Sequence, residues 1–320
     1  MQKLIRLSRL LLGGCALLLF LLAESASAVT IDWVTVWGAG NAADTTGFGA
    51  VAQTYRISKT EVTNAQYAEF LNAKAASDPL GLYNTRMGSV FSKGGIRRSG
   101  TSGSFTYTAI AGRENKPVNW VSFYDSLRFS NWLNNGQGSG DTETGAYTIT
   151  ATRITHNSIT RNAGSNIFLT SEDEWYKAAY YDTVTSSYFA YPAGSSTQTV
   201  CAAAGATANT ANTANCGSVV GDVTDVGSYT GSASPNGTFD QGGNVREWNE
   251  AILFGSGRGE RGGSFSFDAN LLAASSRGSL VPASGGSDVG FRVASLPEAG
   301  AALLLMMGLA GLACYQKRRV

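Results

Sequence analysis

Three segments of the chain show the spacing of hydrophobic residues that is typical of short amphipathic helices, and each follows a residue that caps helices. The first begins after Thr63, whose side chain is expected to form a capping box with Gln66. Tyr67, Phe70 and Leu71 then fall on one face. This pattern predicts a helix over residues 63–76.

The second and third helices are predicted from the same two signals. One begins after Ser122, with Asp125 three residues later. The other begins after Thr170 or Ser171, with acidic residues in its first turn, where the helix dipole favours them. The residues expected to face the core are Phe123, Leu127 and Trp132 in the second helix and Trp175 and Ala179 in the third.

Between the helices lie short strand-like pieces and long loops rich in Gly, Ser and Thr. Residues 29–295 contain no linker, no long run of charge and no repeat of 20–50 residues, so we predict one α+β domain there. So much loop needs internal cross-links, for which bound ions and a disulfide are the candidates. The predicted strands are residues 31–37, 54–57, 105–109, 146–149 and 291–294.

Composition and charge exclude several classes of protein. The 320 residues include 24 Lys and Arg against 23 Asp and Glu, a net charge of +1, which argues against a nucleic-acid binder. A hydrophobic fraction of 43% argues against a disordered chain. The single histidine argues against a metal site or a catalytic triad built on histidine.

Residues 1–28 have the features of a secretory signal. Lys3, Arg6 and Arg9 form a basic start, residues 10–22 are apolar, and small residues precede a predicted cleavage after Ala28. A membrane anchor is the alternative, but the apolar run is shorter than the roughly 20 residues that span a bilayer. We therefore expect the protein to be exported.

The C-terminal segment, residues 296–320, combines Pro297, Glu298 and Ala299 with a short apolar run and a basic end. It resembles the PEP-CTERM sorting signal of Gram-negative bacteria, although Ala299 replaces the second proline. That resemblance implies transient anchoring by a short transmembrane helix, processing by an exosortase-type enzyme, and a location at the cell surface or outside the cell. A sortase signal and a plain C-terminal anchor stay as alternatives.

Removal of both segments would change the charge of the chain. Six basic and two acidic residues would be lost, leaving 18 Lys and Arg against 21 Asp and Glu, a net charge of −3. An acidic domain suits calcium, which takes oxygen ligands.

Six phrases in a fixed order resemble the formylglycine-generating enzyme family, also called the sulfatase-modifying-factor family. The resemblance implies a loop-rich variant of the C-type lectin fold with bound calcium, few short helices and short antiparallel strands. The phrases are YRISKTEVTNAQYAEFLNA (55–73), KPVNWVSFYDSLRFSNWLN (116–134), FLTSEDEWYKAAYYD (168–182), DQGGNVREWNE (240–250), RGGSF (261–265) and GFRVA (290–294).

The fourth phrase has the composition of a calcium loop. By the pattern of the family, Asp240 and Glu247 would provide carboxylate oxygens, and Gly243 and Val245 would provide backbone carbonyls. A glycine-rich turn capped by acidic residues is the alternative. The resemblance thus implies Ca²⁺ as a structural cofactor.

A second calcium site is expected in the segment ANCGSVVGDVT. Asn215 and Asp222 would provide side-chain oxygens, with the carbonyls of Cys216 and Thr224 completing the site. A polar surface loop is the alternative. Cys201 and Cys216 flank a low-complexity loop and are predicted to form a disulfide in an oxidising compartment, with a redox pair as the alternative.

The residues that carry the chemistry of the family are not found in this chain. Aerobic members use two cysteines shortly after the RGGS phrase to bind copper, and that alignment places Phe267 and Leu272 at the two positions. Neither side chain ligates Cu(I), for which thiolates are the suitable ligands. We therefore expect no copper and no catalytic residues, and a role as an enzyme is uncertain.

The family's peptide groove suggests where a ligand could bind. Phe267, Asp268, Asn270 and Arg258 fall in or near the matching region and could contact a sugar or a peptide. The leading hypothesis is a non-catalytic domain that binds extracellular polysaccharide or a surface protein. An enzyme of unknown chemistry and a purely structural matrix protein are the alternatives.

Overall fold

The computed structural model describes residues 28–213 and 220–297. The predicted export signal before Ala28 and the sorting signal after Pro297, with Glu298 and Ala299, lie outside these residues. Within them, no helix is long and apolar enough to cross a membrane.

All three predicted helices are present and begin after the predicted caps. A fourth helix, which is short, was not predicted. The helices of the described residues are α1 (Asn64–Lys74), α2 (Phe123–Asn134), α3 (Ala151–Thr155) and α4 (Glu172–Tyr180). Complete capping boxes join Thr63 to Gln66, Ser122 to Asp125 and Ser171 to Glu174. These local contacts satisfy N–H groups that have no partner inside the helix.

The strands of the described residues are short and form two four-stranded sheets and three two-stranded ones. The first large sheet has the order β1-β2-β14-β5 and is antiparallel. The second has the order β12-β11-β10-β13, with one parallel pair at β13. The strands are β1 (Trp33–Val36), β2 (Tyr55–Ser58), β3 (Ile96–Ser99), β4 (Thr106–Ala109), β5 (Ile167–Leu169), β6 (Tyr181–Asp182), β7 (Ser187–Tyr188), β8 (Val200–Cys201), β9 (Thr210–Ala211), β10 (Arg246–Leu253), β11 (Gly257–Arg261), β12 (Gly278–Leu280), β13 (Val289–Gly290) and β14 (Val293–Ser295).

An aromatic cluster between α1, α2 and the first sheet forms the centre of the core. Phe70 packs edge-on against Phe129 at a centroid distance of 5.4 Å, and Phe291 contacts the other side of Phe129 at 5.3 Å. Tyr67 and Trp132 complete the cluster. Edge-to-face pairs of this kind are more favourable than burial of the same area alone. The loop-rich α+β class is therefore confirmed.

One predicted strand, residues 146–149, is not a strand. Its backbone pairs with a side chain instead: the amide of Asn131 accepts from the N–H of Tyr147 at 2.7 Å and donates to its carbonyl at 3.0 Å. A buried segment must satisfy its backbone groups, and α2 provides the partner here.

The β10–β11 hairpin was missed, because its strands do not alternate between apolar and polar residues. All three of Glu247, Asn249 and Arg258 point into buried positions. Glu247 is paired with Arg292 there, the side-chain oxygen of Asn249 accepts from the N–H of Ala251, and Arg258 donates to Asn157. Two glycines with positive φ, Gly262 (+97°) and Gly263 (+62°), turn the chain out of β11 toward the segment that follows.

Candidate functional site

Glu247, a predicted calcium ligand, lies in β10 with no exposed surface. Its Oε2 accepts from Nε of Arg292 at 2.5 Å and from Nε1 of Trp175 at 2.7 Å. Its Oε1 accepts from Nη2 of Arg292 at 2.7 Å. Both oxygens are thus occupied by donors from the protein itself.

Asp240, the other predicted carboxylate of this loop, has a backbone φ of +60° and is 7% exposed. Its Oδ2 accepts from the N–H of Gly227 at 2.6 Å. Burial, with a smaller effect from the charge of Glu247, raises the pKa of Asp240 to about 6, although the hydrogen bond from Gly227 and the charge of Arg292 lower it.

Sequence reasoning missed a third buried carboxylate beside these two. Glu61 is 1% exposed, and burial together with the charges of Asp240 and Glu247 holds its pKa well above the ordinary value. Its Oε1 accepts from Nδ2 of Asn244 at 3.1 Å, whereas its Oε2 has no hydrogen-bond partner in the structure. The sequence signal for Glu61 is the phrase TEVTN (60–64), in which this charged residue stands next to an apolar residue just before a helix.

The predicted carbonyl ligands belong to the turn before β10. Gly243 has a φ of +89°, and its N–H donates to the carbonyl of Gly262 at 2.8 Å. Val245 is fully buried and packs with Val223 and Phe265. In residues 28–213 and 220–297, no group of three or more His, Cys, Asp or Glu side chains is arranged to hold a metal ion.

The second predicted calcium site is only partly covered by the structure, because Asn215 and Cys216 lie outside the described residues. Asp222 is held by Arg113 through contacts of 2.7 and 3.0 Å. Burial alone would raise the pKa of Asp222, but Arg113 lowers it below the ordinary value. The N–H of Thr224 donates to Oδ1 of Asn244 at 3.0 Å.

Asn212 was not predicted to belong to this second site, yet it lies beside it. Its Nδ2 donates to the carbonyl of Asp222 at 2.9 Å, and its buried Oδ1 has no hydrogen-bond partner among residues 28–213 and 220–297. An oxygen in that state fits a cation. Asparagine recurs at short intervals in this segment, so the sequence alone does not indicate which asparagine would bind an ion. The disulfide between Cys201 and Cys216 stays a prediction, because Cys216 lies outside the described residues.

The two positions aligned with the family cysteines differ from one another. Leu272 is fully buried, and Tyr180 donates a hydrogen bond to its carbonyl at 3.0 Å. Its side chain lies so near Gly242 and Gly263 that a Cβ at either glycine would come within 3.1 and 2.9 Å of it. Phe267 is half-buried, with the guanidinium of Arg246 4.9 Å from its ring centre.

A network of charges fixes Arg246 under that ring. Its guanidinium contacts Glu260 at 2.8 Å and Asp288 at 3.1 Å. Burial alone would raise the pKa of Asp288, but hydrogen bonds from Arg246, Ser266 and Ser264 hold it below the ordinary value. Arg246 is therefore paired at neutral pH and presents its flat face to Phe267.

Beside Phe267 lies a small cavity of about 80 Å³. Arg246, Glu260, Phe267 and Arg277 are among its lining residues, together with backbone of the glycine turn. We call this region the Phe267 surface. Asp268 and Asn270, both predicted to contact a ligand, are exposed next to it on the same segment.

Arg258 does not fit its predicted role in ligand binding. It is 1% exposed, and its guanidinium donates to the side chain and carbonyl of Asn157 and to the carbonyls of Ile159 and Glu250. Phe123 covers it at 4.3 Å. The prediction followed from the closeness of Arg258 to the RGGS phrase in sequence, but strand β11 directs this side chain inward.

Comparison with known proteins agrees with this architecture. The family model described as "Sulfatase-modifying factor enzyme 1-like domain" matches residues 41–296. No curated protein matches the chain significantly.

Solved structures share the fold. CarF is 21% identical, with a TM-score of 0.55 over 84% of this chain and 99% of that one. Variable protein 1 of Treponema denticola is 18% identical, with a TM-score of 0.52 over 85% of this chain and 98% of that one. At these identities the likeness concerns the fold alone.

Proposed function

The chain belongs to the sulfatase-modifying factor enzyme 1-like family, and from this premise we propose that it is an exported, calcium-stabilised binding domain without the copper chemistry of the family. The observation that carries the proposal is the filling of the two aligned cysteine positions by Leu272 and Phe267. Leu272 is locked in the interior, and Phe267 is stacked on Arg246. Neither can hold Cu(I) or act as a nucleophile.

The Phe267 surface supports binding of a polysaccharide. A half-buried ring offers an apolar face to the C–H face of a sugar, and the exposed Asp268 and Asn270 offer acceptors and donors to hydroxyl groups. The adjoining cavity of about 80 Å³ is large enough for one substituent of a sugar ring but not for a whole ring. An extended chain lying across the surface therefore fits better than an enclosed small molecule.

A glycan array and a peptide array, each with and without a chelator of calcium, test this proposal with the full-length protein. We expect binding to a restricted set of glycans, and we expect Phe267→Ala to weaken it by more than about tenfold, the effect of losing one well-packed aromatic contact. Phe254→Ala is the matched control, because Phe254 is 91% exposed at the tip of the β10–β11 hairpin.

The possible results separate the alternatives. Binding to peptides alone would replace the polysaccharide by a surface protein. No binding to either array would overturn the binding proposal and leave a purely structural matrix protein.

The absence of copper chemistry has its own test. Incubation of the protein with copper, oxygen and a sulfatase peptide should leave the peptide cysteine unchanged. Formylglycine in the product, measured by mass spectrometry, would show that the alignment at Phe267 and Leu272 is wrong.

Export and processing are proposed from the terminal segments. In a Gram-negative host with an exosortase, the mature protein should begin after Ala28 and end near Pro297. Intact-mass measurement of the exported protein checks both ends. A mass that includes residues 298–320 would favour a plain anchor.

Calcium is proposed as a structural ion, and the buried oxygens that lack partners support it. Asp240 provides a carboxylate near the first predicted site, and beside the second Asn212 provides an amide oxygen that has no hydrogen-bond partner among the described residues. Asp222 is already paired with Arg113 through both of its oxygens. When bound, the ion would add positive charge among buried carboxylates and so raise the free energy of unfolding. Glu247 fits less well, because Arg292 already neutralises it.

A further inference from the structure

We propose that Glu61 is a ligand of the cation bound near Asp240, at the floor of a cleft beside the connection between β2 and α1, and that Glu247 is not a ligand. The inference rests on the proposed calcium binding and departs from the ligand set that the family resemblance implies. It assigns a function to a carboxylate that the sequence did not single out.

The cleft gives an ion a path from solvent. Its volume is about 560 Å³, and it is open on one side. One wall is formed by residues 58–63, which include Glu61, and the other by Val226, Gly227, Thr230 and Phe239. A metal site needs an entry path as well as ligands, and this cleft provides one.

Glu61 has an oxygen that the protein leaves without a partner. The side chain is 1% exposed; Oε1 is held by Asn244, and Oε2 is buried with no hydrogen-bond partner in the structure. Burying a carboxylate oxygen without a hydrogen-bond partner is unfavourable. The fold nevertheless keeps Oε2 of Glu61 buried, which indicates that a positively charged ligand binds this oxygen.

Asp240 does not line the cleft itself, whose carboxylates are Asp32 and Glu61, but it is connected to the cleft through Gly227 and Phe239. Its Oδ2 is bonded to the N–H of Gly227, a residue of the far wall, and the preceding residue Phe239 also lines the cleft. The φ of +60° at Asp240 is unusual for a residue other than glycine. Such a backbone is typical of positions held by a specific function.

The nearest arginine does not neutralise this pair. Arg292 directs four contacts to Glu247 and to the carbonyls of Ser58 and Phe239. With Arg292 and Glu247 paired to each other, a bound cation would be the counter-charge of Glu61 and Asp240. Carboxylates and carbonyls are the ligands of a hard divalent cation, of which Ca²⁺ best tolerates irregular geometry.

Glu247 is excluded by the same contacts. Its oxygens accept three N–H bonds, two from Arg292 and one from Trp175. A divalent cation on Glu247 would stand beside a buried guanidinium of like charge, which is unfavourable at low dielectric.

Calcium titration of the chelated full-length protein, by calorimetry and by thermal unfolding, tests the inference, with CaCl₂ as the probe and MgCl₂ as comparison. We expect Glu61→Gln to weaken Ca²⁺ binding by more than about tenfold, as loss of a ligand or of its support does. Glu247→Gln should lower the unfolding temperature but keep the affinity. Glu114→Gln, at an exposed position, is the control and should change neither.

Each result decides a different statement. Unchanged affinity in Glu61→Gln with lost affinity in Glu247→Gln would overturn the inference and leave the calcium proposal intact. No binding by the unmodified protein would overturn both. A Glu61 that is simply protonated would show itself as a Glu61→Gln variant equal to the parent with and without calcium, which also overturns the inference.

Should a variant fail to fold, a structure of the unmodified protein soaked in terbium gives a second readout. An anomalous peak about 2.3–2.6 Å from Oε2 of Glu61 is the expected result, since that is the range of such bonds. A peak on Glu247 and none near Glu61 would contradict it.

Discussion

Arg292 and Glu247 form an ion pair in which neither side chain has exposed surface. Glu247 belongs to β10 of the second large sheet, and Arg292 directly precedes β14 of the first, so the pair connects the two sheets. Trp175, from α4, donates to the same carboxylate. One buried contact therefore joins three parts of the fold that are far apart in sequence.

Removal of one partner of this pair should be strongly destabilising. In Arg292→Met, Glu247 keeps a buried charge with only the Trp175 donor, and we expect a loss of about 3–5 kcal/mol in the free energy of unfolding. Urea unfolding followed by tryptophan fluorescence measures it. Arg97→Met, at an exposed position of β3, should stay within about 0.5 kcal/mol of the parent. A cost of less than about 1 kcal/mol for Arg292→Met would contradict the connecting role.

Local signals were sufficient to predict α1, α2 and α4, and distant partners explain why several strands were not predicted. Ser122 and Asp125 stand three residues apart and determine the start of α2 by themselves. By contrast, β5 was not predicted, and it pairs with β14, whose residues lie more than a hundred positions later in the sequence. Residues 146–149 looked like a strand, but they form an isolated bridge between Tyr147 and Arg161, and the backbone of Tyr147 also bonds to the side chain of Asn131.

Calcium binding by the residues named from the sequence stays a prediction, and the pairing of Glu247 with Arg292 was not predicted. The order of the phrases correctly directed attention to Asp240 and Glu247 as buried acidic residues. The sequence does not indicate which of several carboxylates forms an ion pair with a buried arginine. Here Arg292 pairs with Glu247 and not with Glu61. Arg258 failed for a related reason, because its burial depends on carbonyls of a segment about a hundred residues earlier.

Asp125 should give the protein a measurable pH dependence of stability. Burial raises its pKa to about 6, opposed by hydrogen bonds from Ser122 and by Arg128 and supported by Asp78. In the unfolded chain the pKa is about 3.9. The folded state thus binds the proton more tightly, so this contribution to stability is complete below about pH 4 and is lost as the pH rises to about 6.

Comparison with Asp125→Asn isolates that contribution, because asparagine keeps an acceptor for Ser122 without titrating. The free energy of unfolding of the parent should fall relative to the variant by about 2 kcal/mol between pH 4 and pH 6, since a tenfold difference in proton affinity between the folded and unfolded states corresponds to about 1.4 kcal/mol and part of the change lies outside this range. Urea unfolding at intervals of half a pH unit measures the difference. A difference that is constant over this range would show that Asp125 titrates normally.

Substitution of Leu272 should mainly reduce the free energy of unfolding, whereas substitution of Phe267 should mainly reduce ligand binding. Leu272→Ala removes a fully buried side chain that fills the space beside two glycines, and we expect a loss of about 2–5 kcal/mol. Phe267→Ala removes a half-buried ring whose main partner is Arg246, and about 1 kcal/mol is expected. Thermal and urea unfolding of both variants give the comparison. Equal losses would mean that Phe267 belongs to the core and would weaken its assignment to a binding surface.

The predicted disulfide between Cys201 and Cys216 should contribute about 3 kcal/mol to stability, because it closes a loop of about 15 residues in the unfolded chain. Cys201→Ala and Cys216→Ala should each lower the free energy of unfolding by that amount, and the double variant should lose no more than either single one. Alkylation of the unfolded, non-reduced protein followed by mass spectrometry checks the bond directly: neither cysteine should be labelled before reduction, and both should be labelled after it. Label on both before reduction would contradict the pairing.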